Sequence, residues 1–103
     1  MTIAPVELVL DEIKAAHLAE IFRALSDPSR IRLISILAHG EVSVGALAQA
    51  LRLSDSSVSH HLRGLRQMRL VRARKAGRQV FYSLDDQHIA DLYHRGLDHV
   101  NHG

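Results

Sequence analysis

The sequence predicts a mainly α-helical fold with one β-hairpin, and two observations carry this prediction. Apolar side chains recur at helical spacing through most of the 103 residues. Between residues 70 and 84 this pattern gives way to two short runs rich in β-formers, with Gly77 between them. The length and a hydrophobic content of 47% favour one folded domain over residues 1–103.

Capping residues delimit the first helices. An apolar stripe runs from Pro5 to Leu25 and shifts near Ala16, so it fits either one helix or two. Asp27 is a good N-cap and Pro28 suits a first helical position, where no amide hydrogen is needed. The next helix is therefore expected to run from there to about Ala38.

A short helix from about Val44 to Leu51 is followed by a three-residue turn and a longer helix from about Asp55 to Arg69, with Ser54 as its N-cap. This succession is typical of a helix-turn-helix.

Two strands and a last helix complete the predicted fold. Leu70–Ala76 and Gln79–Leu84 form a hairpin, and Asp85 or Asp86 caps a helix running towards Val100. A helix-turn-helix followed by a hairpin is a winged helix-turn-helix.

Several classes of protein and site are excluded by what the sequence lacks. It has no cysteine, which excludes disulfides and thiolate metal sites. The first residues are acidic rather than basic and lead into no apolar signal run. No stretch approaches the roughly 18 apolar residues of a membrane span. We therefore expect a cytoplasmic protein without a membrane partner.

Positive charge is concentrated in one segment. Residues 52–78 contain eight arginines and lysines and a single acidic residue, Asp55, although the net charge of the whole chain is only +2. This asymmetry favours contact with a polyanion, most plausibly double-stranded DNA, over an ordinary solvated face.

The second helix of the helix-turn-helix has two contrasting faces. At 100° per residue, Val58, Leu62 and Leu65 form a core face, and His61 lies towards that side, which predicts a structural role for it. The opposite face suits the reading of base edges and phosphates. Its residues are Ser56, Ser59, His60, Arg63 and Gln67, and the basic hairpin tip adds Arg74, Lys75 and Arg78.

The last helix carries candidate metal ligands at both ends. An aspartate, Asp85 or Asp86, lies next to His88 at its start, and His99 and His102 share a face at its end. Imidazole and carboxylate are good zinc ligands. Because His88 and His99 lie about 16.5 Å apart along a helix, one chain cannot bring both pairs to a single ion.

Two antiparallel copies of this helix can form the site. Pairing Asp86 with His102 of a second copy, and His88 with its His99, implies nearly the same twofold axis, near residue 94. The same helix carries an apolar stripe for dimerisation. The sequence thus predicts a homodimer through terminal helices, with the stripe formed by Ile89, Leu92, Tyr93, Leu97 and Val100.

Three motifs together resemble the ArsR/SmtB family of metal-sensing repressors, over roughly residues 15–102. They are Ala24-Leu25-Ser26-Asp27-Pro28-Ser29-Arg30, Ser56-Ser57-Val58-Ser59-His60-His61-Leu62, and Asp86-x-His88 with His99-x-x-His102. The resemblance implies a homodimer that binds an inverted-repeat operator when metal-free and is released by metal.

By position, the resemblance assigns a metal site to Asp86, His88, His99 and His102, and adds Ser57 to the DNA contacts. It also implies a hydrogen bond from metal-bound His99 to the carbonyl of Arg69. The thiolate ligands of some relatives are missing, because residues 41–45 read Glu-Val-Ser-Val-Gly. Four nitrogen and oxygen ligands favour Zn(II), with Co(II) or Ni(II) as alternatives.

Two other functions compete with a metal-released repressor. A metal-indifferent winged-helix regulator or architectural protein would bind DNA equally with and without zinc. A zinc hydrolase would need an open coordination position and a general base, and neither is evident. We therefore expect a protein that is not an enzyme.

Overall fold

The computed structural model describes residues 2–103, which form six helices and a three-stranded antiparallel sheet. The helices are α1 (Pro5–Leu8), α2 (Glu12–Leu25), α3 (Pro28–Leu37), α4 (Val44–Leu51), α5 (Asp55–Gln67) and α6 (Gln87–His102). The strands are β1 (Val42–Ser43), β2 (Val71–Ala76) and β3 (Gln79–Leu84), arranged in the order β1-β3-β2. The prediction of a mainly α-helical fold with a hairpin is confirmed.

The N-terminal stripe forms two helices, but the predicted break near Ala16 is wrong. Helix α1 ends at Leu8, and α2 begins at Glu12. The side chain of Asp11 accepts a hydrogen bond from the Lys14 amide at 2.9 Å. This N-cap begins α2 earlier than the shift of the apolar stripe indicates.

Side-chain caps determine where the two helices of the helix-turn-helix begin. Ser43 and Ser54 each accept a hydrogen bond from the amide three residues later, at 3.2 and 3.0 Å. Helix α4 has the predicted bounds, whereas α5 ends at Gln67, two residues before the expected Arg69. Helix α5 therefore begins where a hydroxyl in the turn caps it.

Both of these helices end in the same way. Arg52, with φ 56°, and Arg69, with φ 57°, lie in the left-handed region just beyond the helical residues. In each case the amide of the following residue donates to the carbonyl five residues earlier, at 3.0 Å. This Schellman arrangement satisfies the last carbonyls and turns the chain sharply.

The hairpin pairs β2 with β3 from Val71 and Leu84 to Ala76 and Gln79. Its two-residue turn starts at Gly77, whose φ of +62° suits a residue without a Cβ. The short strand β1, which was not predicted, pairs with β3. Two residues are too few for strand periodicity to reveal.

The core lies between α3, α4, α5 and the sheet. Leu33, Leu47, Val58, Leu62 and Leu65 are fully buried there, so the opposite face of α5 is turned outward. The described residues of α1, α2 and α6 add only two small buried side chains to the fold, both alanines. Within residues 2–103, no helix has both the length and the apolar character needed to cross a membrane.

Candidate nucleic-acid interface and metal site

The outward face of α5 carries the residues predicted to contact DNA. Because the core face is fully buried, this face is held facing solvent. Its largest polar groups, an imidazole, a guanidinium and an amide, are exposed, whereas two of its hydroxyls are half-buried. The exposed residues are Ser56, His60, Arg63 and Gln67, and the half-buried ones are Ser57 and Ser59.

Three of the predicted cations are exposed and form no ion pair with any residue from 2 to 103. Arg63 lies on α5, Lys75 on β2 and Arg78 in the hairpin turn. Charges without a protein partner remain available to phosphates. When such a cation neutralises a DNA phosphate, the counterion held there is released, which contributes to the affinity for DNA.

Arg74 differs from these three, because it is paired within the chain. Its Nη2 and Nε donate to the two carboxylate oxygens of Glu41, at 2.6 and 3.1 Å, and its guanidinium lies 4.9 Å from the Phe81 ring centre. Sequence reasoning missed Glu41, since 33 residues separate the partners. The pair links the wing to the segment just before β1.

The charges of this pair reinforce each other. The hydrogen bond from Arg74 lowers the pKa of Glu41 below its ordinary value, and the same bond raises the pKa of Arg74. A carboxylate with a lowered pKa keeps its stabilising charge above its ordinary pKa and loses it only as the pH falls through the lowered value. At neutral pH the pair is therefore fully charged.

His61, for which a structural role is predicted, contacts α3. The ring is half-buried, and its Nδ1 accepts a hydrogen bond from Nε of Arg30 at 3.2 Å. This confirms the predicted structural role, because the side chain joins α5 to α3.

Asp86 and His88 lie together at the start of α6. Oδ1 of Asp86 accepts a hydrogen bond from the His88 amide at 2.9 Å and lies 3.4 Å from Nδ1 of the His88 ring. Asp85, the alternative ligand, is half-buried. Its amide donates to the carbonyl of Leu70, and its own carbonyl accepts from Arg72. The geometry therefore brings Asp86, rather than Asp85, to His88.

His99 and His102 lie in the last turn of α6 and are exposed. Nδ1 of His102 is 2.7 Å from the Asp98 carbonyl oxygen. Within residues 2–103 of one chain, no three potential ligands come close enough to hold an ion. The four predicted ligands are thus divided between the two ends of α6.

Residues 27–73 match the family described as bacterial regulatory protein, arsR family. Over 98 residues the chain is 49% identical to the transcriptional repressor SmtB homolog of Synechocystis sp., an alignment that covers 95% of this chain and 73% of that protein. The chain belongs to the ArsR family. It is also 38% identical, over 79% of its length and 68% of the relative's, to the cadmium resistance transcriptional regulatory protein CadC homolog of Staphylococcus aureus.

A solved structure supports the same ArsR-family fold. It is the homodimeric winged helix-turn-helix DNA-binding domain of a possible ArsR-family transcriptional regulator from Mycobacterium bovis. The two chains are 27% identical and superpose with a TM-score of 0.79 over 90% of this chain and 89% of the other. The winged helix-turn-helix prediction is confirmed, and this ArsR-family chain is a transcriptional regulator rather than an enzyme.

The family match covers only part of the ArsR-family chain. Residues 27–73 contain α3, β1, α4, α5 and the first three residues of β2. The predicted ligands at both ends of α6 lie outside that segment.

Proposed function

We propose that the protein is a metal-responsive repressor, a homodimer that binds an inverted-repeat operator when metal-free and is released by Zn(II) or Co(II). The observation that carries this proposal is the division of four potential ligands between the two ends of α6, with Asp86 and His88 already adjacent. In this proposal, DNA recognition and metal sensing belong to different parts of one chain.

DNA contact rests on the outward face of α5 and the wing. Arg63 and Gln67 suit base edges or phosphates, and the short hydroxyls allow close approach of the helix to the groove. Lys75 and Arg78 extend the positive surface to the hairpin tip, where phosphate contacts are expected.

The Glu41–Arg74 pair allows a direct test of the wing. With Glu41→Gln the carboxylate charge is removed and Arg74 becomes free for phosphate, so DNA affinity should rise several-fold. The slope of log affinity against log salt should steepen by about 0.9 for one added phosphate contact. Salt titrations followed by fluorescence anisotropy at pH 7 measure both quantities.

Glu20→Gln is the matched control for that variant. Glu20 pairs with Arg23 on α2, so the same charge is removed from an ion pair outside the proposed interface. Equal gains in affinity in the two variants would contradict a specific role for Arg74 and leave only the change in net charge.

Dimerisation is supported by apolar surface on the terminal helices and on the segment between α1 and α2. Val6, Val9, Ile13 and Val100 are each more than 70% exposed, which is unusual for large apolar side chains in a lone subunit. Between α2, α3 and α6 lies an open apolar groove of about 400 Å³. A second copy is the proposed occupant of this surface.

The ligand set fits a metal ion shared between two copies. Imidazole nitrogens and a carboxylate oxygen are ligands that Zn(II) accepts in a tetrahedral site, and a bound ion would link the α6 helices of the two subunits. Asp86 and His88 would come from one subunit, and His99 and His102 from the other. Co(II) and Ni(II) accept the same donors.

The ion of the S. aureus relative is a less suitable choice here. That protein is named for cadmium resistance, and cadmium is a soft ion that prefers thiolates. The present chain has no cysteine to supply them. We therefore propose Zn(II) as the regulatory ligand.

The deciding experiment is fluorescence anisotropy of the purified protein on the DNA upstream of its own coding region, titrated with zinc and then with a chelator. Loss of binding with zinc and its return with chelator are expected. Binding that zinc leaves unchanged would support the alternative, a metal-indifferent winged-helix DNA-binding protein.

A further inference from the structure

Arg30, in the first turn of α3, reaches two other helices. Its Nη1 donates to the carbonyl of Ala24 in α2 at 3.3 Å, and its Nε donates to Nδ1 of His61 in α5 at 3.2 Å. Its own amide is held by the carboxylate of Asp27 at 3.1 Å. A half-buried planar cation thus bridges α2 and the helix proposed to read DNA.

Gly64 makes room for this bridge. A Cβ built on Gly64 would lie 2.5 Å from Nη2 of Arg30 and 2.8 Å from its Cζ, too close for the guanidinium to stay where it is. A glycine inside a helix makes that helix less stable than an alanine at the same position would. The guanidinium of Arg30 thus occupies the space that a side chain at position 64 would take.

The hydrogen bond also fixes the tautomer of His61. Arginine has only donors, so Nδ1 of His61 must be the unprotonated acceptor. In the neutral ring the proton therefore lies on Nε2. The unprotonated Nδ1 of His61 can be recognised from the chemical shifts of the ring nitrogens, so the contact can be detected by NMR.

We propose that Arg30 is a positioning residue for DNA reading: its guanidinium, seated on Gly64 between the Ala24 carbonyl and the His61 ring, fixes the orientation of α5 relative to α2. These four residues are called the Arg30 clasp. The proposal rests on the proposed function in that α5 is taken to be the reading helix. Because α2 carries part of the proposed dimer surface, the clasp links the dimer to the placement of each reading helix, which determines the spacing of half-sites.

Two variants open the clasp in different ways. Gly64→Ala displaces the guanidinium but raises the helical propensity of α5, so the melting temperature should not fall. Arg30→Lys keeps the charge but lacks the planar fork that reaches both acceptors. Gly45→Ala is the matched control, because a Cβ at this helical glycine in α4 would have no atom within 4 Å.

The DNA readout is the ratio of affinities for operator and for scrambled DNA of equal length. In both clasp variants this ratio should fall about tenfold, comparable to one mismatched base pair, while scrambled DNA is bound as by wild type. Gly45→Ala should keep the wild-type ratio. A ratio that stays at the wild-type value in Gly64→Ala and Arg30→Lys would overturn the proposal.

Two NMR readouts are independent of DNA. The ring nitrogen shifts of His61 should show an unprotonated Nδ1 in wild type, and residual dipolar couplings should show α5 reoriented relative to α2 in Gly64→Ala. A proton on Nδ1 of neutral His61, or an α5 orientation unchanged by Gly64→Ala, would overturn the clasp. Absence of operator binding by wild type, with both NMR results as expected, would refute the proposed function and still support the positioning of α5 by Arg30.

Discussion

With His99→Asn, the protein will still bind operator DNA, but zinc will no longer release it. The substitution removes a proposed imidazole ligand from the end of α6, and His99 is exposed, so the fold should not suffer. In wild type, zinc is expected to lower operator affinity by a factor of about 5 to 150, the usual range of coupling between two sites. In the variant the change should be less than about twofold, far below that range.

The measurement is the anisotropy titration with zinc and chelator, run alongside zinc binding by calorimetry. His39→Asn is the matched control, since it makes the same change at an exposed histidine after α3, outside both α6 and the proposed ligand set. Release of His99→Asn by zinc at wild-type concentrations would refute the assignment of His99 as a ligand. Loss of release in His39→Asn would show that the effect does not depend on the ligand position in α6.

With Leu97→Asp, the homodimer should dissociate, and operator binding should be lost with it. Leu97 is 40% exposed in the single chain and lines the apolar groove of α6 with Phe22 and Val100. Each copy would place an unpaired carboxylate in the interface, at a cost of about 3–5 kcal/mol. Sedimentation equilibrium measures the dimer constant directly.

Asn101→Asp is the control, because it adds the same charge to an exposed position of α6 that does not line the groove. It should leave the dimer intact. A Leu97→Asp protein that remains dimeric and binds DNA would place the interface elsewhere on the molecule.

Much of the fold could be predicted because its boundaries are set by local chemistry. Asp27, Ser54 and Asp86 each cap the helix that follows through a side-chain oxygen, as their residue types indicate. The break before Glu12 also depends on a capping aspartate, Asp11, but the continuous apolar stripe concealed it. Capping residues thus predicted where a helix begins, except where an apolar stripe ran across the boundary.

The features that could not be predicted join residues far apart in the chain. Glu41 meets Arg74 and Arg30 meets His61 across 33 and 31 residues, and no periodicity connects such pairs. The proposed metal site is harder still, since half of its ligands would come from a second copy. The length of α6 nevertheless allowed a prediction for that site. Its two ends lie too far apart for all four ligands of one chain to reach the same ion, so two chains are needed.

Arg52 and Arg69, the left-handed residues just beyond α4 and α5, have a consequence for the stability of the fold. A left-handed conformation costs a residue with a Cβ about 1–2 kcal/mol, whereas glycine, which avoids this cost, loses about 0.5–1 kcal/mol more on folding through its greater conformational freedom. The glycine term offsets only about half of the left-handed cost at Arg52 and Arg69. Exchanging either arginine for glycine would therefore stabilise the fold by about 0.5–1 kcal/mol, while removing a positive charge from beside the helix-turn-helix. At these two turns the chain therefore carries a positive charge at a modest cost in stability.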